Sequence, residues 1–387
     1  MPRRVLITGA RAAAALDLAR DFAAAGWEPH LADCVPARMA SWSRAPARVH
    51  RYPAPRHQSA AFRERIVELV DTFDIELVVP TCEEVFYLAA PAMQGRLEAR
   101  LCASPLPTLR RLHDKLAFAR HCAASGLPVP ASHPIDSVRD LTDFADTSRD
   151  WVFKPRFGRF GDRTRVAPGP CELTAITPGP DAPWMAQQRI IGEEACFYAV
   201  ARRGELVAFA AYGSEWRLQG GASYAFDPLT SQRERVLSDI AARLARSAGI
   251  HGQFACDVMF DTAGSPFLLE CNPRATSGVH LLAGAGDLAR AMADGVPAPG
   301  ASPSATCYLG PAMLLLGLPR ALRDTKVRQW WRCLVSGHDA ISRPGDRRPF
   351  FGALVDAAAF TLAGVMRNIS TNAATTHDLE WNGEELP

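Results

Sequence analysis

Glu270, Asn272 and Arg274 stand at two-residue spacing in the stretch 267-FLLECNPRATSGVH-280, where an apolar run ends. In an extended strand alternate side chains share a face, so Glu270 and Asn272 point the same way. An earlier run, QFACDVMF (253–260), reaches this one across the turn-forming residues Asp261 to Gly264 and carries Asp257 on the face of Ala255 and Met259. If the two runs pair in register as a hairpin, two carboxylates and a carboxamide oxygen converge. Hard oxygen donors of this kind hold Mg²⁺ together with nucleotide phosphates. The alternative for any one of them is a strand end that meets solvent.

A second set of residues is marked by composition. Of 43 basic residues only three are lysine, Lys115, Lys154 and Lys326, and Asn272 is the only asparagine before Asn368. A genome rich in arginine codons explains the skew, and it makes each surviving lysine informative. Arginine does not replace lysine where a compact point charge must sit beside a phosphate.

The elements that must position these groups can be read from periodicity and turn residues. VLIT (5–8), HLAD (30–33) and IELVVPT (75–81) are strands, separated by helical patterns over 12–25 and 62–73 and followed by another over 83–93. That rhythm predicts a doubly wound parallel sheet. A dinucleotide site would need several glycines after the first strand, and TGARAAAA supplies one. Residues 109–125 read as one helix, closed by Gly126 with Pro128 and Pro130 beyond it. WVFKPRFGRFGDRTRV (151–166) reads as strand, loop, strand, and 168–183 as a turn-rich connection. Strands follow at 184–191, 195–202 and 205–213, then a polar loop through Gly220 and Gly221, a helix over 230–248 and the hairpin. From residue 301 onward Ala, Leu, Trp and Arg dominate, which predicts a mostly helical tail.

Composition sets the partner class. The 387 residues are 48% apolar and 22% charged with a formal net charge of +2 and no Lys/Arg run, so neither a nucleic-acid patch nor a membrane-surface patch is visible. Small molecules are the expected partners. Ten scattered cysteines without a C-x-x-C pair read as reduced thiols in a cytoplasmic protein. The N-terminal stretch is broken by Gly9, Arg11 and Asp17 and does not read as a signal peptide. The apolar run 305–318 falls short of the roughly 20 residues that a bilayer span needs.

The order Lys115, Lys154-Pro155 with a glycine-bearing loop, QQRIIGEE, Asp257 and ECNPR resembles the ATP-grasp superfamily, which includes D-alanine:D-alanine ligases, biotin carboxylases, carbamoyl-phosphate synthetases and L-amino-acid ligases. The resemblance spans residues 1–295 and rests on several motifs in order. It implies an α/β ATP-grasp fold: a Rossmann-like N-terminal domain over 1–107, a small lobe over 108–183 and a large antiparallel-sheet lobe over 184–300. A helical extension over 301–387 would follow.

Carried over by position, the resemblance places Lys115 and Lys154 on the α and β phosphates of ATP, with Gly158 and Gly161 in the phosphate loop. Gln187, Gln188, Arg189 and Ile190 would form the hinge that holds adenine, and Glu194 would bind the ribose hydroxyls. Asp257, Glu270 and Asn272 would hold one or two Mg²⁺ (or Mn²⁺), and Arg274 would face the transferring phosphate. The loop RFGRFGDR departs from the family's glycine-dense pattern: Arg156, Arg159 and Arg163 either replace part of a backbone cradle or meet an anionic substrate. Arg217, in SEWRLQGGAS, would grip a carboxylate or the γ-phosphate unless it only meets solvent. Glu83 and Glu84 would receive a substrate ammonium or simply favour a helix N-terminus. Ser277, Gly278 and His280 would line the pocket.

The implied reaction is ATP-dependent ligation of a carboxylate to an amine through an acyl phosphate, releasing ADP and phosphate. Carboxylation, carbamoyl-phosphate-like chemistry and nucleotide binding without catalysis are the rivals. The tail, including THDLEWNG (376–383), would cap the pocket, make homodimer contacts or do neither.

Overall fold

A computed structural model describes residues 2–97, 100–159, 161, 163–180, 182–218, 222–300 and 305–386. The N-terminal part is a parallel sheet in the order β3-β2-β1-β4, with β1 at Arg4–Thr8, β2 at Glu28–Asp33, β3 at Arg48–Arg51 and β4 at Leu77–Pro80. Val5, Leu6 and Ile7 are fully buried because helices cover both faces of the sheet. β3 escaped the sequence reading: RVHR is polar and largely exposed, as an edge strand is. The helix expected over 83–93 is a single turn and a half, Glu84–Leu88, stopped before Pro91.

The predicted helix over 109–125 is two helices, Leu106–His113 and Lys115–Ala124, broken at Asp114. Asp114 has extended φ/ψ and caps the second helix, its carboxylate accepting from the backbone N–H of Leu116 and Ala117. A cap in mid-pattern overrides an apolar period that runs through it.

A small antiparallel sheet follows in the order β5-β8-β6-β7, with β5 at Ser132–Ile135, β6 at Trp151–Pro155, β7 at Arg165–Val166 and β8 at Trp184–Gln188. WMAQQ therefore belongs to this sheet, and the expected boundary at 184 moves past Gln188. β8 is central, paired with β5 on one side and β6 on the other, which is why Trp184, Met185 and Ala186 are all buried.

The large sheet has seven strands in the order β13-β12-β9-β10-β11-β14-β15. β9 is Gly192–Arg202, β10 Glu205–Gly213, β11 Ala225–Pro228, β12 Gly252–Asp261 and β13 Pro266–Asn272. β14 (Cys307–Tyr308) and β15 (His338–Asp339) come from the tail. The tail is thus mostly helical, as read, but it also extends the sheet. Two-residue strands leave no alternation to detect in the sequence. Helix Ser231–Ala248 packs its Leu237, Ile240 and Leu244 stripe on this sheet, capped by Thr230 and stopped by Gly249 at φ 63°.

The tail also holds the helix Arg348–Arg367, 20 residues, long and apolar enough by length and composition to cross a bilayer. Asp356, in the middle of the helix, hid it from a search for one unbroken run. After it, residues 371–386 return to the N-terminal domain. Trp381 is fully buried there, stacked on Phe86 at 4.5 Å and edge-on to Phe157 at 5.5 Å.

Candidate functional site

The cleft between the sheets is built around one irregularity. The β12–β13 register pairs Ala255 with Asn272 and Asp257 with Glu270, then slips, so that Val258 faces Leu268 and Leu269 is the extra residue of a bulge. A bulge leaves backbone groups out of the ladder. The Leu269 carbonyl accepts from Lys154 Nζ at 3.3 Å and from Gln187 Nε2 at 3.3 Å. Glu270, the next residue, presents its carboxylate to both lysines: Oε2 lies 3.6 Å from Lys115 Nζ and 3.9 Å from Lys154 Nζ.

Each lysine is fixed by its own element. Lys115 is the first residue of its helix, set there by the Asp114 cap, and its ammonium donates to the Gly158 carbonyl at 3.1 Å in the phosphate loop. Lys154 points out of β6 and is buried. Burial pulls its ammonium down to about 8, with Lys115 adding to the fall and Glu270 opposing it. For Glu270, burial pushes the carboxyl up but the two lysines prevail and hold it at about 2. Asp257 shifts in the opposite direction: burial and the Glu270 charge raise it to about 6, while the Cys196 thiol donates to it at 3.1 Å.

The oxygen donors suit a divalent cation by chemistry, since two facing carboxylates and the Asn272 amide oxygen form a hard set whose mutual repulsion a cation relieves. Among the described residues no group of three His, Cys, Asp or Glu side chains could hold a metal, so the set depends on the amide. Asn272 Oδ1 now accepts from Arg274 at 3.1 Å, and Arg274 Nε stands 3.7 Å from Glu83.

The three arginines of the phosphate loop are occupied by protein groups. Arg156 forms an ion pair with the capping Asp114. Arg159 is nearly buried, paired with Glu83, bonded to Glu380 at 2.7 Å and donating to the Trp381 carbonyl at 3.2 Å. Arg163 lies over the Trp184 ring at 5.2 Å. A cavity of about 310 Å³ runs between Lys115, Lys154, Gly158, Gly161 and Glu270 on one side and Ala373, Thr376, Glu380 and Asn382 on the other. The tail is therefore a wall of the site. The sequence offered one cue, a tryptophan inside the acidic stretch HDLEWNGEE.

The remaining candidates divide. Gln187 is buried against the bulge, while Gln188 and Arg189 are exposed and Ile190 is half-buried beside them. Glu194 is exposed and ion-paired with Arg217, which also donates to the Ser214 carbonyl at 3.0 Å. Glu83 is buried behind the cavity, paired with Arg159 and accepting from the Trp381 N–H at 3.1 Å. Glu84 is fully buried, accepting from Thr8 Oγ1 at 2.7 Å and from the backbone of Thr81 and Cys82, because the strand edge needs its exposed N–H groups satisfied. His280 is buried too, bonded to Asp17 at 2.8 Å and stacked on Phe226. Its neighbour Ser277 accepts from the His280 N–H, and Gly278 packs against the Tyr198 side chain so closely that a Cβ would collide. These three support the hairpin end and are not gathered at the cavity.

Solved structures share this fold. An L-amino acid ligase from Bacillus licheniformis superposes with a TM-score of 0.54 at 17% identity, covering 73% of this chain and 70% of that one. The N5-carboxyaminoimidazole synthetase from Staphylococcus aureus gives 0.62 at 11% identity, covering 82% and 86%. The biotin carboxylase domain of the 2-oxoglutarate carboxylase from Hydrogenobacter thermophilus, crystallised with MgADP and bicarbonate, gives 0.59 at 15% identity, covering 76% and 70%. The chain has the ATP-grasp fold. No family model matches the sequence and no curated protein matches it. The small sheet carries Lys154 and Gln187 and the large sheet carries Asp257, Glu270 and Asn272; the cavity is lined by Lys154 from the first and Glu270 from the second.

Proposed function

We propose that the protein is an ATP-dependent ligase that joins a carboxylate to an amine through an acyl phosphate, releasing ADP and phosphate. The supporting observation is the convergence of Lys115, Lys154 and Glu270 on one cavity beside Asp257, Asn272 and Arg274. In this reading Lys115 and Lys154 bind the α and β phosphates, Gln187 to Ile190 meet the adenine, and Glu194 the ribose. Asp257, Glu270 and Asn272 would hold Mg²⁺, which would supply neutralisation of phosphate charge.

The chain's own work is placement and electrostatics. Arg274 is released from Asn272 and turns its fork to the γ-phosphoryl oxygens, where charge develops as the bond to ADP breaks. The same release would free the Asn272 amide oxygen that Arg274 now holds. The tail wall, with Glu380 and Asn382, faces the substrate end of the cavity and limits entry of water, which would hydrolyse an acyl phosphate.

The test is product analysis with a panel of carboxylates, bicarbonate included, and amines. Expected are ADP and phosphate in equal amounts, dependence on both co-substrates, and a hydroxamate when hydroxylamine replaces the amine. AMP and pyrophosphate would mean that the α-phosphate is attacked and that the acyl-phosphate reading is wrong.

A further inference from the structure

Among the described residues, thirteen of the twenty exposed large apolar side chains lie between Leu314 and Ile369, about a seventh of the chain. On helix Arg348–Arg367 the exposed positions Phe351, Val355, Leu362, Val365 and Met366 recur at helical spacing, a stripe of roughly 22 Å that faces outward. Helix Val327–Ser336 repeats the pattern with Val327, Trp331 and Val335 at four-residue steps. The apolar faces of these helices are turned away from the core.

Their charges are one-sided. Arg328, Arg332, Arg347, Arg348 and Arg367 border the stripes, and among the described residues none has a carboxylate within 4.0 Å. The acid inside the long helix, Asp356, is committed to Arg38 and the Met39 N–H. An antiparallel pairing of this helix with a second copy would set Arg347 and Arg348 against Arg367, like charge on like. Nor is the helix free to stand across a bilayer. Gly352 packs so tightly on the Arg38 backbone that a Cβ would lie 2.5 Å from its carbonyl oxygen, and Gly364 is closed over by Ile369. It lies along the protein surface.

We propose that this face docks flat on a bilayer leaflet that contains anionic phospholipids. The apolar stripes enter the headgroup and acyl boundary, the unpaired guanidiniums meet lipid phosphates, and Trp331 sits at the depth that tryptophan favours. Asn368, Ile369 and Ser370 join the docking helix to Thr371–Ala374, whose Ala373 lines the cavity, so one continuous piece of chain links the leaflet to the site wall.

The full-length protein is sedimented with vesicles of phosphatidylglycerol and phosphatidylcholine, or of phosphatidylcholine alone, while its mass in solution is measured by light scattering. Expected is binding to the anionic vesicles that weakens with salt, with roughly a fivefold loss of affinity for each of Arg347→Gln, Arg348→Gln and Arg367→Gln. Leu362→Glu with Val365→Glu should abolish binding and leave the melting temperature unchanged, since both side chains are exposed. Equal binding to neutral vesicles overturns the proposal, as does absence of binding to any vesicle. A dimer that Leu362→Glu converts to monomer, without vesicle binding, assigns the face to a second copy instead.

Discussion

The two walls of the cleft treat charge in opposite ways. On the sheet wall two buried ammonium groups, Lys115 and Lys154, share one close carboxylate, Glu270, and otherwise rest on carbonyls. Where the loop meets the tail wall, Arg159 alone has Glu83, Glu380 and the Trp381 carbonyl. The two lysines have one carboxylate within 4.0 Å between them, with Asp257 beyond it, whereas the single arginine has two. A buried cation that its own protein does not fully compensate is poised for an anionic ligand, whereas a closed network fixes geometry. Binding energy for phosphate is therefore expected at the lysines, and shape at the tail.

Removing a charge from the unsatisfied wall should have the largest effect. Lys154→Met is expected to lower turnover by about a hundredfold or more, the scale of losing one preorganised donor to developing charge, and to weaken ATP binding measured by calorimetry. Lys154→Arg should also be impaired, because a forked guanidinium does not fit the bulge carbonyl and Glu270 at once. Unchanged ATP affinity in the methionine variant would remove the contrast between the walls.

Glu270→Gln comes next. It keeps size, removes the shared carboxylate and should reduce turnover about tenfold to a hundredfold, with the Mg²⁺ titration midpoint moved to higher concentration. The Lys154 ammonium, which Glu270 supports, should titrate lower in this variant, visible as a shift in the pH dependence of ATP binding.

On the satisfied wall the readout is stability. Trp381→Ala deletes a fully buried indole and is expected to cost about 3–5 kcal/mol by chemical denaturation, with a smaller effect on ATP affinity than Lys154→Met. Glu380→Gln should raise the KM for the amine or carboxylate severalfold and leave ATP binding as it was. If ATP binding falls instead, Glu380 acts through Arg159 on the phosphate loop and the walls are not separate.

The smallest effect lies outside the cleft. His50 packs beside His30 and Phe73, and burial together with the nearby His30 and arginine charges lowers its imidazole to about 4. Its unfolded value is near 6.5. A folded value below the unfolded one means the neutral form is favoured on folding, so this stabilisation is complete above about pH 6.5 and is lost as pH falls toward 4. Melting temperature against pH for the wild type and His50→Gln should diverge over that window and converge above it.

How far the sequence carried depends on the range of the forces involved. The hairpin with Asp257, Glu270 and Asn272, the two informative lysines and the parallel sheet are local patterns: alternation, a turn, an apolar run. They were legible because each is set within a dozen residues. Strand edges of two residues, the Asp114 break and the strand at 48–51 were not, since pairing partners far along the chain, or a single cap, decide them.

The amino-acid sequence by itself determined which residues were equipped for phosphate and metal chemistry, because residue type and strand parity are intrinsic to the chain. Only the tertiary structure decided which of them meet. Glu84 and His280 carry suitable chemistry, yet their partners Thr8 and Asp17 draw them into the interior. The bulge at Leu269, the arginines of the phosphate loop tied to Asp114 and the tail, and Trp381 closing the cleft all rest on contacts between residues far apart in the chain. Such contacts form only when burial of apolar surface offsets the entropy of closing long loops, and no local pattern records that balance.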